Sequence, residues 1–462
     1  MLAAALLAGG CVSAPPGPGR EDVPLPGGFS EAGGQPLPER WWRHFEDPRL
    51  DALMDRVVDA NFSLAAARSR LEQARAAARI AFGAQLPTLD MNADASATRR
   101  HPGINTEQYT VGAAAGYEVD LWGRLNSAAD AAALQARASR GDLRAAAITL
   151  TARTATTYYG VLRQRALTEL LRRQEQTNRQ VEELAELRYR NGAASIDELL
   201  RQRQLVERTV ADLATAVGEL QRLRAELAAL LALPGPDALE LTAGHALVDV
   251  PPLPDTGVPS VWLNRRPDLQ AAFLRVRAAD ADLASAIANR YPRLDLSASI
   301  ETLAARPSSL FADWVSRFVG NLTAPVFRGG QLAGEVERQR AARAVAFNDF
   351  AQTALDAVAE VESVLWAERT DRARRRSLQR QVELGQRALE QLRFSYRNGA
   401  VDFLDVLDAQ TTLQTSQRQL LQVRWDLVVD RIDLARAIAG GWRVEPGGQS
   451  VAGGAPASPG AR

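Results

Sequence analysis

The sequence of 462 residues contains no lysine, and cysteine, histidine and methionine are scarce. All 55 basic residues are therefore arginines, and 55 acidic residues balance them to a net charge of zero. A nucleic-acid-binding protein usually has an excess of basic residues on one face. The balanced charge of this chain therefore predicts no nucleic-acid partner. The single cysteine excludes a disulfide within the chain. No stretch approaches the roughly 18 consecutive apolar residues of a transmembrane helix.

Recognisable catalytic and metal-binding motifs are also missing from the sequence. The histidines His44, His101 and His245 are scattered, and none has the spacing of a metal-ligand pair. No P-loop, dinucleotide fingerprint or nucleophile elbow occurs. The stretch Gly-Gly-Gln-Leu at 329–332 loosely resembles a phosphate-binding loop but lacks its lysine, and we interpret it as a bend between a strand and a helix. We therefore predict no catalytic residue, no metal site and no cofactor.

The single cysteine, Cys11, ends the apolar stretch "MLAAALLAGGC", which closes on small residues. This pattern resembles the signal peptide and lipobox of a bacterial lipoprotein, in which the cysteine receives lipid after cleavage. We therefore predict a signal peptide at 1–10 and a lipidated Pro/Gly-rich tether at 11–40. The alternative is a stray cysteine in an apolar N-terminus. At the other end of the chain, residues 443–462 are predicted to form a flexible tail.

Proline is absent from residues 103–233 and again from residues 326–445. Alanine, leucine, arginine and glutamine dominate the composition, and these residues favour long helices. A helix from about Leu125 to Arg190 would contain roughly 65 residues and extend about 95 Å. Because no globular core needs a rod of that length, we predict extended coiled coils in which helix pairs bury mixed stripes of Leu, Ala and Val.

An internal repeat organises the chain. The stretch at 61–90 parallels the stretch at 266–295, which is offset by 205 positions. Each copy is followed by the same order of predicted elements, namely two strands, a very long helix, a turn and a helix. We predict a first repeat at 41–264 and a second at 265–442, and the period is too long for a solenoid.

The five residues Tyr-Arg-Asn-Gly-Ala occur twice, starting at Tyr189 and at Tyr396. An Asn-Gly pair supplies the left-handed position that ends a helix, and Ser195 or Asp402 can then cap the helix that returns. Each copy therefore predicts the tip of a helical hairpin. The two tips are expected near 189–198 and near 396–408.

Alternating apolar and polar residues predict four β-strands, at 87–99, 108–122, 292–303 and 316–327. Strands of about ten residues with this pattern are typical of a lipid-embedded barrel with a wet lumen, although a soluble sheet with one face on a core shows the same alternation. A sheet that spans a bilayer must close, and single-chain barrels begin at about eight strands. We therefore predict a barrel shared between several copies of the chain, since three copies would supply twelve strands.

The stretches "YEVDLWGRL", "RYRNGAAS", "RYPRLDLSAS", "PVFRGGQL" and "YRNGAVDFLDVLDAQ" follow one another along the chain. In this order they resemble the TolC-like outer-membrane factor family, and specifically its NodT-type lipoproteins of resistance-nodulation-division (RND) systems. The resemblance runs from about Trp41 to Trp442. It implies a mostly α fold with a membrane β-barrel, in which a homotrimer forms a twelve-stranded barrel and long antiparallel coiled coils form a helical tunnel across the periplasm. It also implies a small mixed α/β belt near 230–263 and around Trp41 and Trp442.

The resemblance further implies a function. The chain is expected to be the outer-membrane exit duct of a tripartite RND-type efflux system that exports drugs or other small molecules. Its expected partners are a periplasmic adaptor protein, an inner-membrane RND pump and, through acylated Cys11, the lipid of the outer membrane. The alternatives are the outer-membrane component of a protein-secretion or metal-efflux system and a structural helical-rod protein without a pore.

Family motifs also imply a periplasmic gate at the hairpin tips, formed by Asp405, Asp408, Glu198, Asp197 and Tyr396. Asp405 and Asp408 lie three residues apart, on one helical face. Threefold symmetry would place six such carboxylates around the pore, where they would favour cations. The alternative is a solvated helix face, on which acidic residues are common.

The two tip turns are expected to contact the adaptor through Tyr189, Arg190, Asn191, Gly192, Arg397, Asn398 and Gly399. Some family members have an arginine just after the tip glycine that belongs to the latch of the closed gate. Val401 occupies this position here. Arg397 or Arg190 could then substitute in the latch.

Overall fold

The computed structural model describes residues 17–239, 248–259 and 265–438. Cys11, the predicted signal peptide, Trp442 and the C-terminal tail lie outside the described residues. Both halves of the chain follow the predicted order of elements. The first half contains α1 (Pro48–Ala60), α2 (Phe62–Gly83), β1 (Thr88–Thr98), β2 (Thr106–Val119), α3 (Arg124–Arg190) and α4 (Ile196–Leu230). The second half contains α5 (Pro267–Ala288), β3 (Arg293–Ala304), β4 (Trp314–Thr323), α6 (Gln331–Arg397) and α7 (Phe403–Ile438).

The predicted internal repeat is confirmed in the lengths of these elements. Helices α2 and α5 have 22 residues each, and α3 and α6 have 67 residues each. A straight helix of that length extends about 100 Å. Within the described residues, no helix has both the length and the apolar character that crossing a membrane requires.

The chain divides into two compact units, and each unit draws on both repeats. One unit joins Ser69–Asp142 to Pro267–Asp356, and it contains the strands. The other joins Pro26–Arg68 and Leu143–Arg266 to the segment that begins at Ala357, and it contains both hairpin tips. The two repeats are therefore visible in the sequence but do not pack as separate units. Each compact unit instead contains corresponding segments of both repeats.

The strands form one antiparallel sheet in the order β1-β2-β3-β4. Their register aligns the predicted apolar positions in rows, one of which runs through Leu89, Ala115, Ala298 and Phe318. The neighbouring row runs through Asp90, Ala114, Ser299 and Arg317 and faces the other side. Leu89 and Phe318 are each 74% exposed, so no layer of the described chain covers the apolar face there.

Glycines make the bends that lead from the strands into the long helices. Gly123 adopts a φ of +75° before α3, while Gly329 and Gly330 adopt +55° and +84° before α6. These left-handed values are accessible to glycine without steric cost. The side chain of Asp120 then accepts the backbone N–H of Leu125, at 3.2 Å, in the first turn of α3. The interpretation of the Gly-Gly-Gln-Leu stretch as a bend is thus confirmed.

A buried ion pair anchors the segment 248–259 to two long helices. Arg431 in α7 is fully buried and contacts Glu368 in α6, which is only 2% exposed. The same guanidinium donates to the backbone carbonyls of Pro251, at 2.6 Å, and Pro252. Removing one partner of such a pair would leave an uncompensated buried charge.

A carboxyl group with a shifted pKa lies beside this ion pair. Burial, followed by the negative charges of Asp371 and Glu368, raises the pKa of Asp430 to about 7. One carboxyl oxygen of Asp430 has no hydrogen-bond partner among the described residues. In the unfolded chain the pKa would be about 3.9, so the folded state retains a proton that the unfolded state loses. The contribution of this group to stability therefore falls as pH rises from about 4 to about 7.

Replacing Asp430 with Asn removes this unfavourable ionisation. We expect the variant to be more stable than the parent protein at pH 8, by about 1 kcal/mol after allowance for solvent screening, and by a clearly smaller margin at pH 5. Thermal unfolding followed by circular dichroism at both pH values measures this difference. Asp349→Asn, at an exposed position of α6, is the control. The same gain at pH 5 and pH 8 would contradict the assignment.

Candidate functional site

The two copies of the repeated motif form the same backbone turn. Gly192 and Gly399 adopt φ values of +70° and +73°. The alanine after each glycine donates its N–H to a carbonyl five residues earlier, that of Arg188 at 2.8 Å and that of Ser395 at 2.9 Å. This pattern is the Schellman ending of a helix, which satisfies carbonyls that the helix leaves free. The predicted turns at the ends of α3 and α6 are therefore confirmed.

Side chains complete both turns. Asn191 and Asn398 donate their side-chain amides to the carbonyls of Leu187, at 2.7 Å, and Phe394, at 2.9 Å. The returning helix α4 begins with the predicted cap, since the Ser195 hydroxyl accepts the backbone N–H of Glu198 at 3.3 Å.

One hydrogen bond joins the two hairpins near their tips. The Tyr396 hydroxyl in α6 donates to a carboxylate oxygen of Glu198 in α4 at 2.8 Å. Burial raises the pKa of Tyr396 to about 12, and the bond to Glu198 contributes to the shift. The phenol therefore stays protonated at physiological pH and donates to a charged acceptor, a combination stronger than a neutral hydrogen bond. The structure thus brings together the two residues expected to form the latch.

The arginine beside this bond is Arg188. Its guanidinium carbon lies 4.4 Å from the centre of the Tyr396 ring, a cation–π geometry. Within the described residues Arg190 and Arg397, which could substitute in the latch, make other contacts. Arg190 forms an ion pair with Glu186 in its own helix, and Arg397 donates to a carbonyl within its own helix. Arg188 also donates to the tip carbonyl of Ala193 at 3.2 Å.

The two repeats contain a signal for Arg188, which was not among the predicted site residues. In the two motifs the residue just before the tyrosine differs, because Arg188 corresponds to Ser395. Both motifs have a tyrosine at the next position, but the two tyrosines differ in their surroundings. Tyr189 is 42% exposed, whereas Tyr396 is half-buried and bonded to Glu198.

The predicted gate carboxylates lie in the first two turns of the returning helices. Asp197 and Glu198 are in the first turn of α4, and Asp405 is in the first turn of α7, where the helix dipole favours negative charge. Asp405 and Asp408 are exposed, on the side of α7 opposite the buried Phe403. Within the described chain, no arginine lies within ion-pair distance of Asp405 or Asp408.

The remaining predicted tip residues present an exposed surface. Exposed positions include Tyr189, Arg190, Asn191, Gly192, Arg397, Asn398 and Gly399. Gly192 and Gly399 have open space around them, because an added Cβ would meet nothing within 4 Å. The tips therefore leave room for another molecule to approach the backbone.

A buried polar layer lies further along the hairpins. Asn178 in α3 is fully buried, and its side-chain oxygen accepts from Gln410 at 2.6 Å and Gln414 at 2.7 Å. Its side-chain nitrogen donates to the Thr209 hydroxyl at 2.8 Å. These bonds connect α3, α4 and α7. Because a buried polar group without a hydrogen-bond partner is costly, they favour this one register between the three helices. No motif or repeat in the sequence indicated this layer.

The fold as a whole is that of outer-membrane channel proteins. The fold matches that of the outer-membrane channel OprN with a TM-score of 0.85 and 25% identity, over 94% of this chain and all of the other. It also matches the open state of the MtrE outer membrane channel of Neisseria gonorrhoeae with a TM-score of 0.84 and 26% identity, over 93% of this chain and 98% of that one.

Sequence comparisons agree with the fold. A family model described as outer membrane efflux protein matches residues 53–233 and 258–440. The pyoverdine export outer membrane protein OpmQ of Pseudomonas putida is 32% identical over 427 residues, covering 89% of this chain and 90% of its own. Outer membrane protein OprJ of Pseudomonas aeruginosa is 32% identical, covering 87% and 86%. The toluene efflux pump outer membrane protein TtgI of Pseudomonas putida is 29% identical, covering 87% of each chain.

The chain belongs to the outer membrane efflux protein family. It is an efflux channel of the outer membrane, and the resemblance stated from its motifs is confirmed. The members that it resembles are channel proteins. The two segments matched by the family model correspond to the two repeats, so the family's unit is itself the helix–strand–helix plan that this chain uses twice.

Alanine at either tip glycine tests the turn geometry. We expect Gly192→Ala and Gly399→Ala each to destabilise the protein by about 1 kcal/mol, because an L residue resists positive φ. Gly218→Ala is the matched control, since Gly218 lies within α4 with nothing near an added Cβ. There the substitution should stabilise by roughly 0.5–1 kcal/mol through helix propensity. Thermal unfolding measures all three, and a loss of stability in the control would contradict this explanation.

Proposed function

We propose that three copies of this chain form the exit duct of a tripartite RND-type efflux assembly. The observation that carries the proposal is the sheet, whose apolar rows are exposed and whose edge strands β1 and β4 each have one neighbour among the described residues. A bilayer leaves no backbone edge unsatisfied, so strands from further copies are needed to close the wall. Three copies with cyclic symmetry would supply twelve strands, a size within the range of outer-membrane barrels.

The cargo in this proposal is a small molecule that the channel does not itself select. The relatives carry names that refer to different cargoes, pyoverdine for OpmQ and toluene for TtgI. One architecture combined with different cargoes supports a passive conduit. A periplasmic adaptor and an inner-membrane RND pump would then supply the selectivity and the energy.

The hairpin tips are the proposed gate and docking surface. In this mechanism the adaptor contacts the exposed turns around Gly192 and Gly399, and the bond between Tyr396 and Glu198 breaks as the helices separate. Arg188 would stabilise the closed arrangement through its contact with the Tyr396 ring. We further propose that lipid attached to Cys11 anchors each chain in the outer membrane.

The acidic residues Asp405 and Asp408, with Asp197 beside the latch, would line the entrance. One unit charge a few ångströms from an ion in water is worth roughly 1 kcal/mol, which corresponds to several-fold in permeation. A ring of six carboxylates is therefore sufficient to favour cations over anions.

The paired substitution Asp405→Asn with Asp408→Asn tests this ring. We expect the cation-to-anion permeability ratio to fall by at least about twofold, because each copy loses two charges from the entrance. Reversal potentials across a planar bilayer in a salt gradient measure the ratio. The control is Glu337→Gln with Asp349→Asn, which removes two exposed carboxylates from α6. Unchanged selectivity in the tip variant would exclude both residues from the gate.

Replacing Tyr396 with Phe tests the latch. The change removes the hydroxyl that bonds Glu198 but keeps the ring beneath Arg188. A hydrogen bond to a charged group contributes about 1.5 kcal/mol at the low end, so the conducting fraction of channels should rise about tenfold. Single-channel recording measures this fraction. Tyr189→Phe removes the hydroxyl of the exposed tyrosine in the other copy of the motif and should have no effect. Equal behaviour of the two variants would refute the latch.

A further inference from the structure

A cavity of about 890 Å³ lies between the C-terminal part of α3 and the helices α6 and α7. This volume is in the range of pockets that hold small molecules. Its walls are largely apolar, and they include Leu389, Val406 and Leu413, which pack together as one cluster. Tyr396 and Phe403 also line it, with their rings 5.6 Å apart.

Three arginines line the same cavity without a carboxylate partner. They are Arg188, Arg393 and Arg397. Within the described chain, no carboxylate lies within ion-pair distance of any of them, and Glu390 is the only acidic residue among the described lining residues. Their observed contacts are with neutral groups, for example the side-chain amide oxygen of Gln410, which accepts from Arg393 at 3.0 Å.

This lack of ion pairing distinguishes the three from a neighbouring arginine. Arg173 lines the same cavity, but it forms an ion pair with Glu169 at 2.7 Å. Arg188 has a buried Nε without a hydrogen-bond partner among the described residues. Burial lowers the pKa of Arg393, and the positive charge of Arg397 lowers it further. A negative group in the cavity would offset both the burial and the repulsion.

We propose that this cavity binds an amphipathic anion. A sulfonate, phosphate or carboxylate headgroup would accept hydrogen bonds from Arg188, Arg393 and Arg397, because a guanidinium presents several donors in a planar fork. The apolar body of the ligand would lie against Leu389 and Val406. Charge complementarity selects the headgroup, and the apolar wall selects the rest of the molecule.

Binding at this place would also affect the tip. The cavity is bounded by α3 on one side and by α6 and α7 on the other, and Tyr396 belongs to its lining. A ligand that contacts both sides favours the arrangement in which they lie together, since binding to one state stabilises that state. The site is therefore suited to a small molecule that holds the two hairpins in the arrangement described here.

The test uses the full-length protein in lipid nanodiscs and a fluorescent anionic amphiphile, 8-anilinonaphthalene-1-sulfonate. The signal from empty nanodiscs is subtracted, so that only binding to the protein is measured. The matched probe N-phenyl-1-naphthylamine has the same aromatic body without the sulfonate. We expect saturable binding of the sulfonate and at least about tenfold weaker binding of the neutral probe, because charge-assisted hydrogen bonds are lost.

Two variants locate the headgroup. Arg393→Gln with Arg397→Gln should weaken sulfonate binding by about tenfold or more and leave binding of the neutral probe unchanged. Arg173→Gln is the matched control, because it removes an arginine that already has a carboxylate partner. It should change sulfonate binding by less than about twofold. Leu184→Trp, at a lining position that is 50% exposed, should obstruct the cavity and weaken the binding of both probes.

Four outcomes would overturn the proposal. They are equal binding of the two probes, an equal loss in the Arg173 control, no loss in the double variant, and no saturable binding by the parent protein. In the last case, a lower melting temperature of the double variant would indicate that a neighbouring copy supplies the missing carboxylates. The measurement does not depend on channel activity, so its failure would leave the proposed conduit function intact. Circular dichroism and size-exclusion chromatography verify that each variant folds and assembles like the parent.

Discussion

Backbone hydrogen bonding at the edges of the sheet is the constraint on which the rest of the proposed assembly depends. Strands β1 and β4 each pair on one side within the described residues, which leaves a row of N–H and C=O groups on the other. Water can solvate such a row, but hydrocarbon cannot. The exposed side chains Leu89 and Phe318 belong in hydrocarbon. A protein of the outer membrane with this sheet therefore requires neighbouring strands, and the proposal of three copies follows from that requirement.

The hairpin tips show how one backbone solution can serve two different surroundings. Both copies of the motif end a helix with the same pattern of hydrogen bonds around a glycine at positive φ. The tyrosines of the two copies nevertheless differ, because only Tyr396 contacts the other hairpin through Glu198. Arg188 adds to this asymmetry by lying against the ring of Tyr396. The repeat thus supplies two equivalent turns, and differences in packing make one of them a candidate latch.

Much of the fold was predictable from the sequence because its signals are local. The absence of proline bounded the long helices, and the alternation of residues such as Leu89 and Asp90 assigned the two faces of the sheet. The contact between Tyr396 and Glu198 was expected only through the family resemblance. Arg188 and Asn178 were missed, since each looks like an ordinary polar position of a long helix. Their partners are distant in sequence, as for Asn178 and Gln410, which are 232 positions apart.

The sequence by itself determined the repeat, the turns and the faces of the strands, because backbone preference and side-chain periodicity act over a few residues. Only the tertiary structure decided which tyrosine hydroxyl bonds the other hairpin, which arginines have a carboxylate partner and which polar side chains share a buried layer. These properties depend on the register between helices that are far apart in the chain. If α6 were shifted by one turn along α4, a residue other than Tyr396 would lie opposite Glu198, although the local sequence would be unchanged.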